Sequence, residues 1–165
     1  MDKRGSFEVG EFVVYPAHGV GRLVDIENHE IGGTTVGLYV INFDKDHMVL
    51  RLPVEKAIAA GLRGLSGKEE MQAALKMLAV KTKKKKTMWS RRAQEYEAKI
   101  NSGTVGSLAD VIRELYICQV SGEQSYSERQ IYQTAMERFV RELSLIEDID
   151  EEEASSRVQS FLNVA

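Results

Sequence analysis

The hydrophobic period of this 165-residue chain changes once, near Pro53, and that change limits what the chain can become. Before Pro53 apolar residues alternate, as on the two faces of strands; beyond it they recur at three and four residues, along one side of helices. The expected fold is a β + α two-domain chain, with a small SH3-like β-barrel followed by a compact all-α domain of about five helices. The boundary falls in a glycine-rich turn, giving domains at residues 1–62 and 63–165.

In the first domain, Phe12 to Tyr15 reads as a short strand stopped by Pro16, which has no ladder donor. Gly19 and Gly21 release the chain into Arg22 to Ile26, residues 28–33 read as a turn, and Val36 to Phe43 as the next strand. Asp44 to Asp46 makes another turn. Met48, Leu50 and Leu52 then share one face, with Val49 and Arg51 on the other. Short, evenly spaced alternating strands suit a small bent barrel, which has no room for a buried cofactor. Its surface must carry any function.

In the second domain, Ser66 to Glu69 reads as a capping box for a helix over 67–80 with a stripe of Met71, Ala74, Leu75 and Leu78. A second helix begins between Thr87 and Ser90, turns Ala93, Tyr96 and Ile100 inward, and ends before Gly103. Ser107 to Asp110 caps a third, striped by Leu108, Val111, Ile112 and Leu115. Ser125 to Glu128 caps a fourth, with Ile131, Ala135, Phe139, Leu143 and Ile146 facing the core. The acidic run from Glu147 to Glu153 leads into a last helix carrying Val158, Phe161 and Leu162. Negative charge there suits the positive end of a helix macrodipole.

Charge is distributed unevenly. Residues 1–65 hold 7 Lys and Arg against 9 Asp and Glu, residues 66–105 hold 10 against 4, and residues 106–165 hold 5 against 12. A middle of about +6 between flanks of −2 and −7 points to a local anionic partner despite the overall charge of −3. The excess centres on Lys81 to Arg92 (KTKKKKTMWSRR), where Lys85 and Lys86 lead to the only tryptophan, Trp89, and then to Arg91 and Arg92. Cations neutralise phosphates, and an indole among them can stack on a base or wedge between base steps. Trp89 also shares a helical face with Ala93, Tyr96 and Ile100, which makes it a core candidate. An indole lying partly on Tyr96 with one edge exposed satisfies both readings.

Catalytic and metal-binding motifs are weak. His18, His29 and His47 fall in turns or strand ends, and Cys118 stands far away in a helix, so no zinc or nucleophile spacing appears. Gly19 and Gly21 start a dinucleotide-like pattern, but Val24 replaces the third glycine. Gly61 to Lys68 only superficially matches a phosphate loop, with Glu69 in place of Ser or Thr. No enzyme activity, cofactor or metal is expected. A lone cysteine, no apolar run near membrane-span length and no signal-type core suggest a cytoplasmic protein.

Several segments together resemble one family: Val13 to Arg22 (VVYPAHGVGR), Tyr39 to Ile41, Met48 to Val54 (MVLRLPV), Trp89 to Tyr96 (WSRRAQEY), Lys99 to Gly103 (KINSG) and Ser125 to Arg129 (SYSER). Across essentially the whole chain the sequence is similar to the CarD/CdnL family of bacterial RNA polymerase-binding transcription regulators. The resemblance implies a Tudor-like polymerase-interacting domain, shared with the transcription-repair coupling factor, joined to a helical DNA-binding domain. The first would dock on the polymerase β subunit, partly by edge-strand contact. The second would touch the minor groove at the upstream edge of the promoter bubble, largely without sequence preference, and stabilise the open complex.

By that resemblance Trp89 is the wedge, Arg91, Arg92 and Arg129 are DNA contacts beside Lys85 and Lys86, and Arg51 faces polymerase. His29 stands where some members have a second polymerase-facing arginine. A nucleoid-associated monomer is implied. The reading from another class is an RNA- or ribosome-associated module built on an SH3-like barrel.

Overall fold

A computed structural model describes residues 7–80, 88–120 and 125–164, with side chains excepted at 118–120 and 164. The chain divides into two compact units, Met1–Leu65 and Ser66–Ala165.

The first unit contains β1 (Phe12–Tyr15), β2 (Gly19–Ile31), β3 (Thr34–Phe43), β4 (Met48–Pro53), a one-turn helix α1 (Val54–Ala57) and β5 (Arg63–Gly64). They form one antiparallel sheet in the order β4-β3-β2-β1-β5. The barrel expected from the alternation is thus an open sheet in its hydrogen bonding. β1 covers β2 only as far as Phe12↔Arg22, and a register shift between Leu23 and Asp25 re-aims the rest of β2. Phe7, Val13, Leu23, Tyr39, Ile41, Phe43, Leu52 and Leu62 fill the core. Met48 and Leu50 lie half-buried against it, while Val49 and Arg51 are exposed, as the alternation along β4 requires.

Three glycines fix this sheet. A Cβ on Gly21 would stand 2.7 Å from Ile41 Cγ2 and 2.8 Å from the Phe43 ring, so only a bare backbone fits there. The turn read over residues 28–33 is shorter than that, because Gly32 and Gly33 take φ of 59° and 80°. Two consecutive left-handed residues close a tight hairpin of matching twist. Residues 28–31 therefore extend β2, and pairing continues to Ile31↔Thr34.

The second unit contains α2 (Lys68–Leu78), α3 (Trp89–Asn101), α4 (Val105–Val120), α5 (Tyr126–Glu147) and α6 (Glu151–Val164). Packed against α2, α3 and α5, α4 is the central helix. The expected stripes are buried on α2 and α4, and Tyr96, Ile100, Ala135, Phe139, Leu143, Val158 and Leu162 join them in one core. Ala93, Ile131, Ile146 and Phe161 are only half-buried.

Two caps differ from the sequence reading. Gly67 occupies the N-cap of α2 without a side-chain cap, and the Ser66 amide instead donates to Glu142 Oε2 at 2.8 Å. Ser107 lies inside α4; the cap is Thr104, whose Oγ1 accepts from the Ser107 amide at 3.2 Å. Both departures have one origin, since a Ser three residues before an acid satisfies the box pattern whether or not a better acceptor stands nearby. The Ser125 box holds, with Oγ accepting from the Glu128 amide at 3.2 Å. At α6, Asp150 Oδ1 accepts from the Glu153 amide at 2.7 Å, so part of the acidic run is a helix cap.

Candidate functional site

α3 begins against local rules. Its N-cap residue, Met88, offers no side-chain acceptor, its first turn holds no acid, and Arg91 and Arg92 follow immediately. Cations at the positive end of a helix dipole cost a few tenths to about 1 kcal/mol, and uncapped amides add to that.

Trp89, the first residue of α3, is half-buried, its ring centroid 6.3 Å from that of Tyr96 at an interplanar angle of 48°. Tyr96 is fully enclosed, so the indole leans on a rigid floor. Beside it Met88 is 77% exposed, and Arg91 is exposed.

Arg92 points the other way. Only 6% exposed, it places its guanidinium carbon 5.3 Å from the Trp89 ring centre and Nη2 3.5 Å from Glu128 Oε1. Glu128 is itself buried, in the first turn of α5. This ion pair ties the starts of α3 and α5 together, and Arg129, the next residue on α5, is exposed. The geometry thus gathers Trp89, Arg91 and Arg129 on two linked helix starts and turns Arg92 inward beneath them. Lys85, Lys86 and the rest of 81–87 lie outside the described residues, as does the side chain of Cys118.

A second cluster lies on the sheet. Glu27 Oε1 meets His29 Nε2 at 3.1 Å and accepts from Arg51 Nε at 3.1 Å. Glu27 and His29 share a face two residues apart on β2, and Arg51 reaches them from β4 across β3. Val40, paired with Arg51 and facing the same way, is buried between them. The His29 hydrogen bond, and then Arg51, hold the Glu27 carboxyl below its ordinary value. The triad stays accessible, with Arg51 and His29 side chains 55% and 49% exposed.

Three acids were missed from sequence. Glu27 carried a signal in its spacing of two from His29. Glu128 was read only as a capping residue, and Glu142 had no signal, because its partner lies 76 residues away. Among the described residues no three of His, Cys, Asp and Glu converge as a metal would require, and no helix is long and apolar enough to cross a membrane.

Two family models match. The CarD-like/TRCF RID domain covers residues 7–66, and the CarD, C-terminal domain covers residues 73–159. A Bacillus subtilis (strain 168) protein named "Putative transcription factor YdeB" is 25% identical over 150 residues, which span 91% of this chain and 98% of that protein.

Proposed function

The chain belongs to the CarD family, a family of transcription regulators, and from that premise we propose that it binds the RNA polymerase β subunit through residues 1–62 and promoter DNA through residues 63–165. One observation carries the DNA half: a partly exposed Trp89 at an uncapped, basic helix start, resting on the edge of the helical core and backed by a buried cation. Arg91 and Arg129 neutralise phosphates there, together with the lysine run, and the indole edge wedges at the upstream fork of the bubble. Such a wedge adds little sequence preference and lowers the free energy of bases already unstacked.

The polymerase half rests on the Arg51–Glu27–His29 row and on the free edge of β2. Among the described residues, β2 beyond Leu23 pairs only with β3, which leaves a strand edge open to augmentation by a partner. Tethering through this face raises the effective concentration of the second domain at the promoter. A monomer with a net charge of −3 can therefore contact DNA with modest affinity of its own.

The test pairs two substitutions. Arg51→Glu is expected to abolish capture by purified polymerase, and Trp89→Ala to leave capture intact while shortening open-complex lifetime. Capture by Arg51→Glu, or an unchanged lifetime with Trp89→Ala, removes the corresponding half. Co-purification with ribosomes in place of polymerase removes both.

A further inference from the structure

Arg92 is badly placed for a phosphate and well placed for a support. A DNA oxygen would have to reach a guanidinium that is 6% exposed and already faces Glu128 at 3.5 Å. Trp89 and Arg92 stand three residues apart on α3 and so share a side of the helix, which lets the guanidinium lie 5.3 Å from the ring centre. We propose that Arg92 and Glu128 are positioning residues for Trp89. The carboxylate fixes the guanidinium from α5, and the guanidinium holds the indole against Tyr96 with one edge outward. The role in transcription, though not the geometry, rests on the reading of Trp89 as a wedge.

The chemistry favours this division of labour. A buried ion pair is weak support for a fold, because apolar residues of similar volume often do as well; what it supplies is a fixed geometry. The indole packs on the edge of the core and against Tyr96, yet as the first residue of α3 it has no preceding helical turn to hold its outer side. A cation held against its face restricts its rotamers, and the contact strengthens as water is excluded. A wedge preorganised in this way spends less of its binding free energy on ordering. Because Glu128 also donates its amide to Ser125 Oγ, the start of α5, and with it Arg129, is fixed by the same residue that fixes the indole.

The chain has one tryptophan, so its intrinsic emission reports on Trp89 alone. Acrylamide quenching of that emission is measured on the free full-length protein for wild type, Arg92→Lys, and the double variant Arg92→Met with Glu128→Gln. The lysine variant keeps the buried charge pair but loses the planar face; the double variant removes the cation without leaving a carboxylate unmatched. Melting curves verify that each is folded, and the lysine variant carries the test should the double variant fail to fold. The quenching constant is expected to rise about twofold or more when the stacked cation is lost, on the scale of a partly desolvated cation–π contact.

Unchanged quenching in a folded variant overturns the proposal. Open-complex lifetimes on the same proteins separate it from the wedge reading. A loosened indole with an unaltered lifetime supports the positioning role and removes the wedge. A shortened lifetime with unaltered quenching means that Arg92 touches DNA directly and overturns the positioning role.

Discussion

The Arg92 guanidinium and the Trp89 indole face each other at 5.3 Å within one turn of α3, the cation buried and the ring partly exposed. Trp89→Ala therefore removes a ring that packs on the edge of the core, not one enclosed within it. The expected loss of stability is about 1–2 kcal/mol, well short of the cost of truncating an enclosed tryptophan. The domain stays folded at 25 °C, with a melting temperature several degrees lower. If the wedge lowers the open-complex free energy by about 1.4 kcal/mol against the closing barrier, its loss shortens the lifetime roughly tenfold. Global unfolding of Trp89→Ala would place the ring in the core.

The arrangement of α3 shows where sequence reasoning reached and where it stopped. The stripe through Tyr96 and Ile100 is buried as the period required, because a 3.6-residue repeat is a local property. Arg92 lies four residues before Tyr96 on the same stripe, yet a charged residue there reads as solvated. Its burial depends on Glu128, 36 residues later, and no local pattern announces such a partner. The hairpin divides in the same way. Paired glycines at 32 and 33 encode a two-residue turn, while the polar residues before them resemble loop and become strand only through pairing with β3.

Glu142 supports the start of α2 from α5. At 1% exposure its Oε2 accepts from the Ser66 amide at 2.8 Å, in place of the absent side-chain cap. Glu142→Ala removes that buried, charge-assisted acceptor and is expected to cost about 2–3 kcal/mol. Amide hydrogen exchange at Ser66 should accelerate with it, and undiminished protection would show that the bond contributes nothing.

Gly21 is a site where the smallest addition is costly. The nearest atoms to a new Cβ belong to Ile41 and Phe43, both fully enclosed, so neither can swing away. Gly21→Ala is expected to destabilise the first unit by roughly 1–3 kcal/mol through overpacking. Gly64→Ala in the same unit, where a Cβ reaches only the Phe7 ring at 4.0 Å, serves as the control. Equal denaturation midpoints for the two variants would contradict the packing around β2.

The Glu27 triad makes a sign-definite pH prediction. His29 and Arg51 lower the carboxyl from its ordinary 4.5, so the pairing is complete above that value and is lost as pH falls through the lower folded midpoint. Carboxyl titration by NMR should give a midpoint below 4.5 in the wild type. Replacing either partner by Ala should raise it, because His29 and Arg51 both lower it in the folded chain. An unchanged midpoint in either variant would mean that its missing side chain does not hold the carboxylate.

Tyr132 governs the alkaline limit. Burial on α5 pushes its phenol from 10.0 up to about 12, so the folded chain keeps a proton that the unfolded chain gives up above pH 10. The native state then binds more protons in this window, and stability falls as pH rises from about 10 to 12. The loss attributable to this one group is at most about 2 kcal/mol, because a tenfold change in proton affinity is worth about 1.4 kcal/mol and residual solvent screening reduces the total. Tyr132→Phe cannot ionise and should lose less stability across that window while matching the wild type's pH dependence from about 6 to 9, where neither state of the phenol ionises. Parallel urea midpoints for the two proteins between about pH 10 and 12 would mean that the phenol ionises as readily in the folded chain as in the unfolded one.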